Sequence, residues 1–171
     1  MLNEENKSLE INFVSVSDKY DIVKIKKTKR VCDVCESFAS EKLRDQTPIA
    51  ILSCEGACLR GDVSRRAANK LCFSLMPERT VRICLGGAFI KNGGQRKMVE
   101  SAKRVIALEG CFIECASKMM MGVLEDLKPE IIHVDSLYEF DRSLYGINDV
   151  TESELDEFAS VAANSISQLL K

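Results

Sequence analysis

The chain is expected to fold as an α/β protein: an open, mostly parallel sheet of about four core strands with flanking helices, plus an N-terminal hairpin. Three observations lead there. From residue 48 onward, short apolar runs alternate with longer stretches of helical periodicity. The apolar runs end in turns that carry glycine or cysteine, and Pro77 and Pro129 stop two of the helical stretches. The length of 171 residues, 46% hydrophobic and 29% charged, suits one core without staples.

The elements follow in order. Residues 10–16 alternate apolar and polar side chains, Ser17, Asp18 and Lys19 supply turn chemistry, and residues 20–26 alternate again through Ile22, Val23 and Ile25. This predicts a hairpin. A basic run (Lys26, Lys27, Lys29, Arg30) reads as a solvated strand end, and a short polar helix is expected over 36–45. Residues 48–53 (Pro-Ile-Ala-Ile-Leu-Ser) form the first core strand. A helix starts near Asp62, which can cap it, and buries Val63, Ala67, Leu71, Cys72 and Leu75. Thr80–Cys84 is the second core strand, and a short helix is expected near Gln95–Ala102. Arg104–Leu108 is the third strand. The next helix is expected over Phe112–Leu127, with Phe112, Ala116, Met119, Met120, Val123 and Leu127 on its apolar face. Glu130–Asp135 is the fourth strand. Thr151-Glu-Ser-Glu154 has the form of a capping box and opens a final helix that buries Leu155, Phe158, Ala159, Ala162, Ile166 and Leu169.

Composition excludes several functions. The net charge is −2 and no long basic stretch dominates, so nucleic acid is not an expected partner. No apolar run approaches membrane-spanning length. The N-terminus is polar and acidic and lacks the apolar stretch of a secretory signal, so a cytoplasmic location is expected.

Cysteine is the anomaly. There are eight, against a single histidine, so any metal site must be mainly thiolate. In a cytosolic chain with an adequate core, metal binding or redox chemistry explains them better than a disulfide framework. Cys54 and Cys58 follow the first core strand, Cys84 closes the second, and Cys111 and Cys115 follow the third. Parallel strands would bring all five to one sheet edge, which is where open α/β sheets bind ligands. Cys54-Glu-Gly-Ala-Cys58 and Cys111-Phe-Ile-Glu-Cys115 share one spacing. Thiolates select soft ions, and zinc takes them tetrahedrally. Cys115 would sit in the first turn of a helix, which favours an anion. Arg60, Arg65, Arg82 and Lys118 are the candidate cations around such a site.

The remaining candidates have plainer explanations. Cys72 lies on a helix's apolar face and is expected in the core. Cys32-Asp-Val-Cys35 is half a metal site or a redox pair. His133 reads as a core or edge histidine, and Met119–Met121 as mostly core packing. The Gly-Gly pairs match neither phosphate-loop pattern.

At these positions the sequence resembles the family of zinc-binding proteins named for a DGC motif. The resemblance is carried by Cys54-Glu-Gly, by Gly61 with Arg66-Ala-Ala68, by Cys84-Leu-Gly-Gly87 and by Glu109-Gly-Cys111-x3-Cys115. It implies zinc held by Cys54, Cys84, Cys111 and Cys115. The chain has Glu109 where the family usually has Asp, and Cys58 where no cysteine is expected. Cys58 therefore joins the candidate ligands. The Cys32–Cys35 segment has no counterpart. The expected organisation is an accessory segment over 1–47 and a DGC-type metal-binding domain over 48–171. The metal would serve a structural, sensing or metal-handling role. An iron–sulfur cluster or a thiol-based oxidoreductase could use the same cysteines.

Overall fold

The computed structural model describes residues 14–17, 20–44 and 47–171. Two short strands come first, β1 (Val14–Ser17) and β2 (Tyr20–Ile22), paired antiparallel with Val14 opposite Ile22. The hairpin is present, but the second strand stops at Ile22, and residues 23–26 are not strand. Residues 10–13 and the turn at 18–19 lie outside the described residues.

Helix α1 (Asp33–Lys42) begins one residue after Cys32 and earlier than expected. Asp33 and Glu36 in its first turn and Lys42 in its last complement the helix dipole. Strand β3 (Ile49–Ser53) leads into α2 (Leu59–Lys70), continued by a wider π-helical turn over Leu71–Leu75. α2 begins a turn before the expected start. Its N-cap is Cys58, whose backbone is extended, and the Leu59 N–H donates to the Tyr145 carbonyl at 2.8 Å. Asp62 therefore does not cap the helix. It sits inside the first turn and pairs with Arg65 and Arg66. Val63, Ala67, Leu71 and Cys72 are buried as expected, whereas Leu75 is exposed, because π winding carries it off the face set by α2.

Strand β4 (Thr80–Arg82), the one-turn helix α3 (Leu85–Ala88), α4 (Gly94–Ser101) and β5 (Val105–Glu109) follow. The expected long helix over 112–127 is only α5 (Cys115–Met121). Phe112 and Met119 are exposed, and of the three consecutive methionines only Met120 is buried. Strand β6 (Glu130–His133) is shorter than expected and passes into a single 3-10 turn at Val134–Ser136. The chain ends in α6 (Glu152–Leu169), where Thr151 and Glu154 make the expected reciprocal cap. Leu169 is exposed; Leu155, Ala159, Ala162 and Ile166 are buried.

β3, β4, β5 and β6 form one all-parallel sheet in the order β4-β3-β5-β6. Side-chain alternation divides each central strand between two cores. Ile51, Ile106 and Leu108 pack with α2 and α6 on one face. Ala50, Leu52, Val105 and Ala107 pack with α1, α4 and α5 on the other. Each fully buried Leu or Ile side chain contributes roughly 2 kcal/mol to holding these layers together. α1 is fixed to α4: Glu36 accepts the Gly94 N–H and pairs with Lys97 at 2.6 Å, and Ala39 is buried.

The strand order has a consequence for ligands. The chain leaves β3 toward β4 through α2, then returns past β3 to reach β5, which continues outward through α5 to β6. The helices after β3 and β5 pack on opposite faces. These two neighbouring strand ends form a topological switch point, the place where α/β sheets bind ligands.

Candidate metal centre

Cys54 stands at that switch point. It follows β3 directly, and its N–H donates to the Leu108 carbonyl of β5 at 2.9 Å. Its side chain is 6% exposed. Burial pushes the Cys54 thiol above its ordinary pKa; backbone hydrogen bonds from Gly56 and Gly110 oppose that, while nearby Cys115 and Glu109 add to it. Cys84 lies two residues beyond β4 and caps α3, with its Sγ accepting the Gly87 N–H at 3.4 Å and its own N–H held by Gln95 Oε1 at 2.9 Å. Cys111 lies two residues beyond β5, and Cys115 is the first residue of α5. Cys58 and Cys111 are half-buried; Cys84 and Cys115 are exposed.

The loops after β3 and β5 meet backbone to backbone. A Cβ at Gly110 would fall 2.7 Å from the Arg60 carbonyl oxygen and 2.9 Å from the Gly61 nitrogen. A Cβ at Gly61 would fall 2.8 Å from the Gly56 Cα. Only glycine permits this approach, and it holds the two cysteine-bearing loops side by side.

Glu109 ends β5 fully buried. Its carboxylate accepts the N–H groups of Ala116 at 3.2 Å and Ser117 at 2.6 Å, so it caps α5 from beneath and fixes the position of Cys115. Glu114 has φ 59°, alone among the described non-glycine residues in being left-handed. Its carboxylate contacts His133 Nε2 at 3.2 Å. His133 pairs in register with Glu109 at the end of the edge strand β6, so the single histidine is an edge residue on the cysteine side of the sheet.

The family model for the DGC domain matches residues 50–161. The chain belongs to the DGC domain family. The match opens inside β3 and spans all five sheet-edge cysteines, Glu109 and His133. Searches of curated proteins and of solved structures each found no significant match.

Within the DGC domain the expected cations are committed elsewhere. Arg60 donates to the carbonyls of Leu144 and Arg142, Arg65 binds Asp62, Arg82 binds Asn69, Ser53 and Glu55, and Lys118 donates to the Ile113 carbonyl. At Cys84 a backbone N–H, that of Gly87, stands beside the sulfur. Cys72 is a core residue as expected, with burial pushing its thiol up to about 11. Cys32 is exposed at the N-cap of α1 and Cys35 is half-buried. The basic run is exposed and lines one wall of a cleft of about 820 Å³ whose other wall is Phe89–Asn92. Among the described residues, no three His, Cys, Asp or Glu side chains stand close enough to hold an ion as placed. The donor chemistry therefore fits a thiophilic ion, while the side chains are not yet gathered around one. Sequence reasoning gave Glu109 no structural task and missed Glu114. A carboxylate closing the apolar run Val105–Leu108 was the available signal for the first; nothing local marked the second. No helix among the described residues is long and apolar enough to cross a membrane.

Proposed function

We propose that the protein binds a thiophilic metal ion, most plainly zinc, through Cys54, Cys84, Cys111 and Cys115, in a cytoplasmic setting and in the part of the chain from 48 to 171, with residues 1–47 as an accessory segment. One observation carries the proposal. Three successive parallel strands each carry a cysteine just beyond the same edge, and the buried one, Cys54, lies at the switch point. Cys84 and Cys115 are exposed, so their side chains are free to turn among rotamers. Bound there, zinc would supply a fixed positive charge that keeps the thiols deprotonated and ties three strand ends together. Gly110 and Gly61 hold the loops in place, and Glu109 fixes the helix that starts at Cys115. A closed set of four thiolates leaves no open coordination position, which suits a structural, sensing or metal-handling role over hydrolysis.

The test is metal content and absorbance of protein purified without oxygen and without added metal. About one zinc per chain on a colourless protein, lost in a Cys84→Ser variant, is the expected result. Visible absorbance with iron would replace zinc by an iron–sulfur cluster. Metal-free protein that also fails to take up added zinc would overturn the proposal.

A further inference from the structure

Cys58 is left over from the four-thiol set, yet it shares a space with one member of it. A Cβ placed on Gly56 would lie 3.5 Å from Cys54 Sγ and 3.5 Å from Cys58 Sγ, so the two sulfurs are at most about 7 Å apart, twice that distance. The middle one of the three residues between them is Gly56, so no side chain fills the point that both sulfurs face. Cys54 is buried and Cys58 is half-buried, so a reagent from solvent reaches Cys58 first. A disulfide needs the sulfurs at about 2 Å, and each cysteine has one side-chain torsion with which to close the gap.

We propose that Cys54 and Cys58 are a redox pair that controls the metal site: joined as a disulfide they withdraw Cys54 from the ligand set, and reduced they restore it. This rests on the metal-binding function proposed above for Cys54. The co-reactant is a low-molecular-mass disulfide. The Cys58 thiolate attacks one of its sulfurs, forming a mixed disulfide and releasing one small thiolate. The Cys54 thiolate then attacks the Cys58 sulfur and releases the second. Two protein thiols lose two electrons, the external disulfide gains them, and the two small thiolates take up the two protons that the protein thiols gave up. The electron pair with which Cys54 would hold an ion is then in the S–S bond. Cys54 and Cys58 belong to the same loop, so little chain rearrangement is needed.

The experiment uses the full chain loaded with zinc under reducing conditions and then exposed to oxidised glutathione. Released zinc is read with a chromogenic chelator, and disulfides are located by peptide mapping. Wild type is expected to release its zinc in step with a Cys54–Cys58 bond, and reduction should restore binding. Cys58→Ser should bind zinc at the wild-type stoichiometry and release it at least about tenfold more slowly. Serine is a favoured N-cap, so α2 is kept. Release from Cys58→Ser at the wild-type rate overturns the proposal. So does loss of zinc binding in that variant, which would make Cys58 a ligand, and so does mapping that leaves Cys54 and Cys58 as free thiols. The metal-free chain is mapped in parallel. If wild type binds no zinc, the metal function fails, and the map of the metal-free chain still shows whether Cys54 and Cys58 pair.

Discussion

The two C-x3-C loops have the same spacing and opposite construction. The loop Cys54–Cys58 has Gly56 at its centre, buries its first cysteine and feeds the twelve-residue α2, whose N-cap is its second cysteine. The loop Cys111–Cys115 has Phe112 78% exposed, passes through a left-handed glutamate and feeds only the seven-residue α5. α2 is gripped by the sheet and α6. α5 packs on the other face of the sheet through Ala116 and Met120, and the buried Glu109 carboxylate caps its start. Spacing thus sets where the sulfurs fall along the chain, and packing sets which of them is buried.

Four changes would break or sharpen this contrast. The largest effect is expected at the seam between the loops. Gly110→Ala forces a Cβ against the backbone of Arg60 and Gly61, neither of which can yield independently, and should cost about 3 kcal/mol; a shift in the urea midpoint measures it. An unshifted midpoint would mean that the loops are not locked together.

Glu109→Ala should cost about 2 kcal/mol, because two N–H groups at the start of α5 lose a buried charged acceptor. Amide exchange should quicken across Cys115–Met121 and stay unchanged across α2. Uniform loosening of both helices would instead make the carboxylate a general core element and not the particular support of the second loop.

Acid should act on the first loop's helix. Burial alone would raise the Asp62 carboxyl, but hydrogen bonds from Arg65 and Arg66 outweigh it and hold the group below its ordinary value. A depressed folded pKa means that the stabilisation is complete above the ordinary carboxylate pKa and is lost as pH falls through the depressed one. Asp62→Asn should therefore cost about 1.5 kcal/mol at neutral pH, with the difference from wild type vanishing in acid. Denaturation curves at several pH values test this, and a difference independent of pH would exclude the carboxylate charge as its source.

The smallest change is Glu114→Gly. Removing the side chain relieves the left-handed backbone by roughly 1 kcal/mol and gives up a partly exposed contact with His133 worth less, so a slight gain of stability is expected. A loss instead would show that the Glu114–His133 contact, more than backbone preference, holds the second loop.

Much of the fold was legible. Apolar runs bounded by glycine, cysteine and proline located all four core strands, most plainly β3 and β5, because a strand buried on both faces must be apolar almost throughout. The Thr151–Glu154 cap was equally plain, since capping is a local exchange of hydrogen bonds. The failures came where distant chain decided. α2 starts at Leu59, because a carbonyl from Tyr145, far along the chain, receives its first N–H. α5 ends at Met121 although helical periodicity runs on to Leu127.

The sequence by itself determined that several thiols reach one sheet edge: that needs only strand boundaries and right-handed crossovers, which follow from hydrophobic period and chirality. Tertiary structure alone decided which sulfur is buried, which cations are already spent on carbonyls and carboxylates, and that Glu109 holds a helix. Those depend on contacts between residues far apart in the chain, and no local pattern encodes a distance between two strand ends.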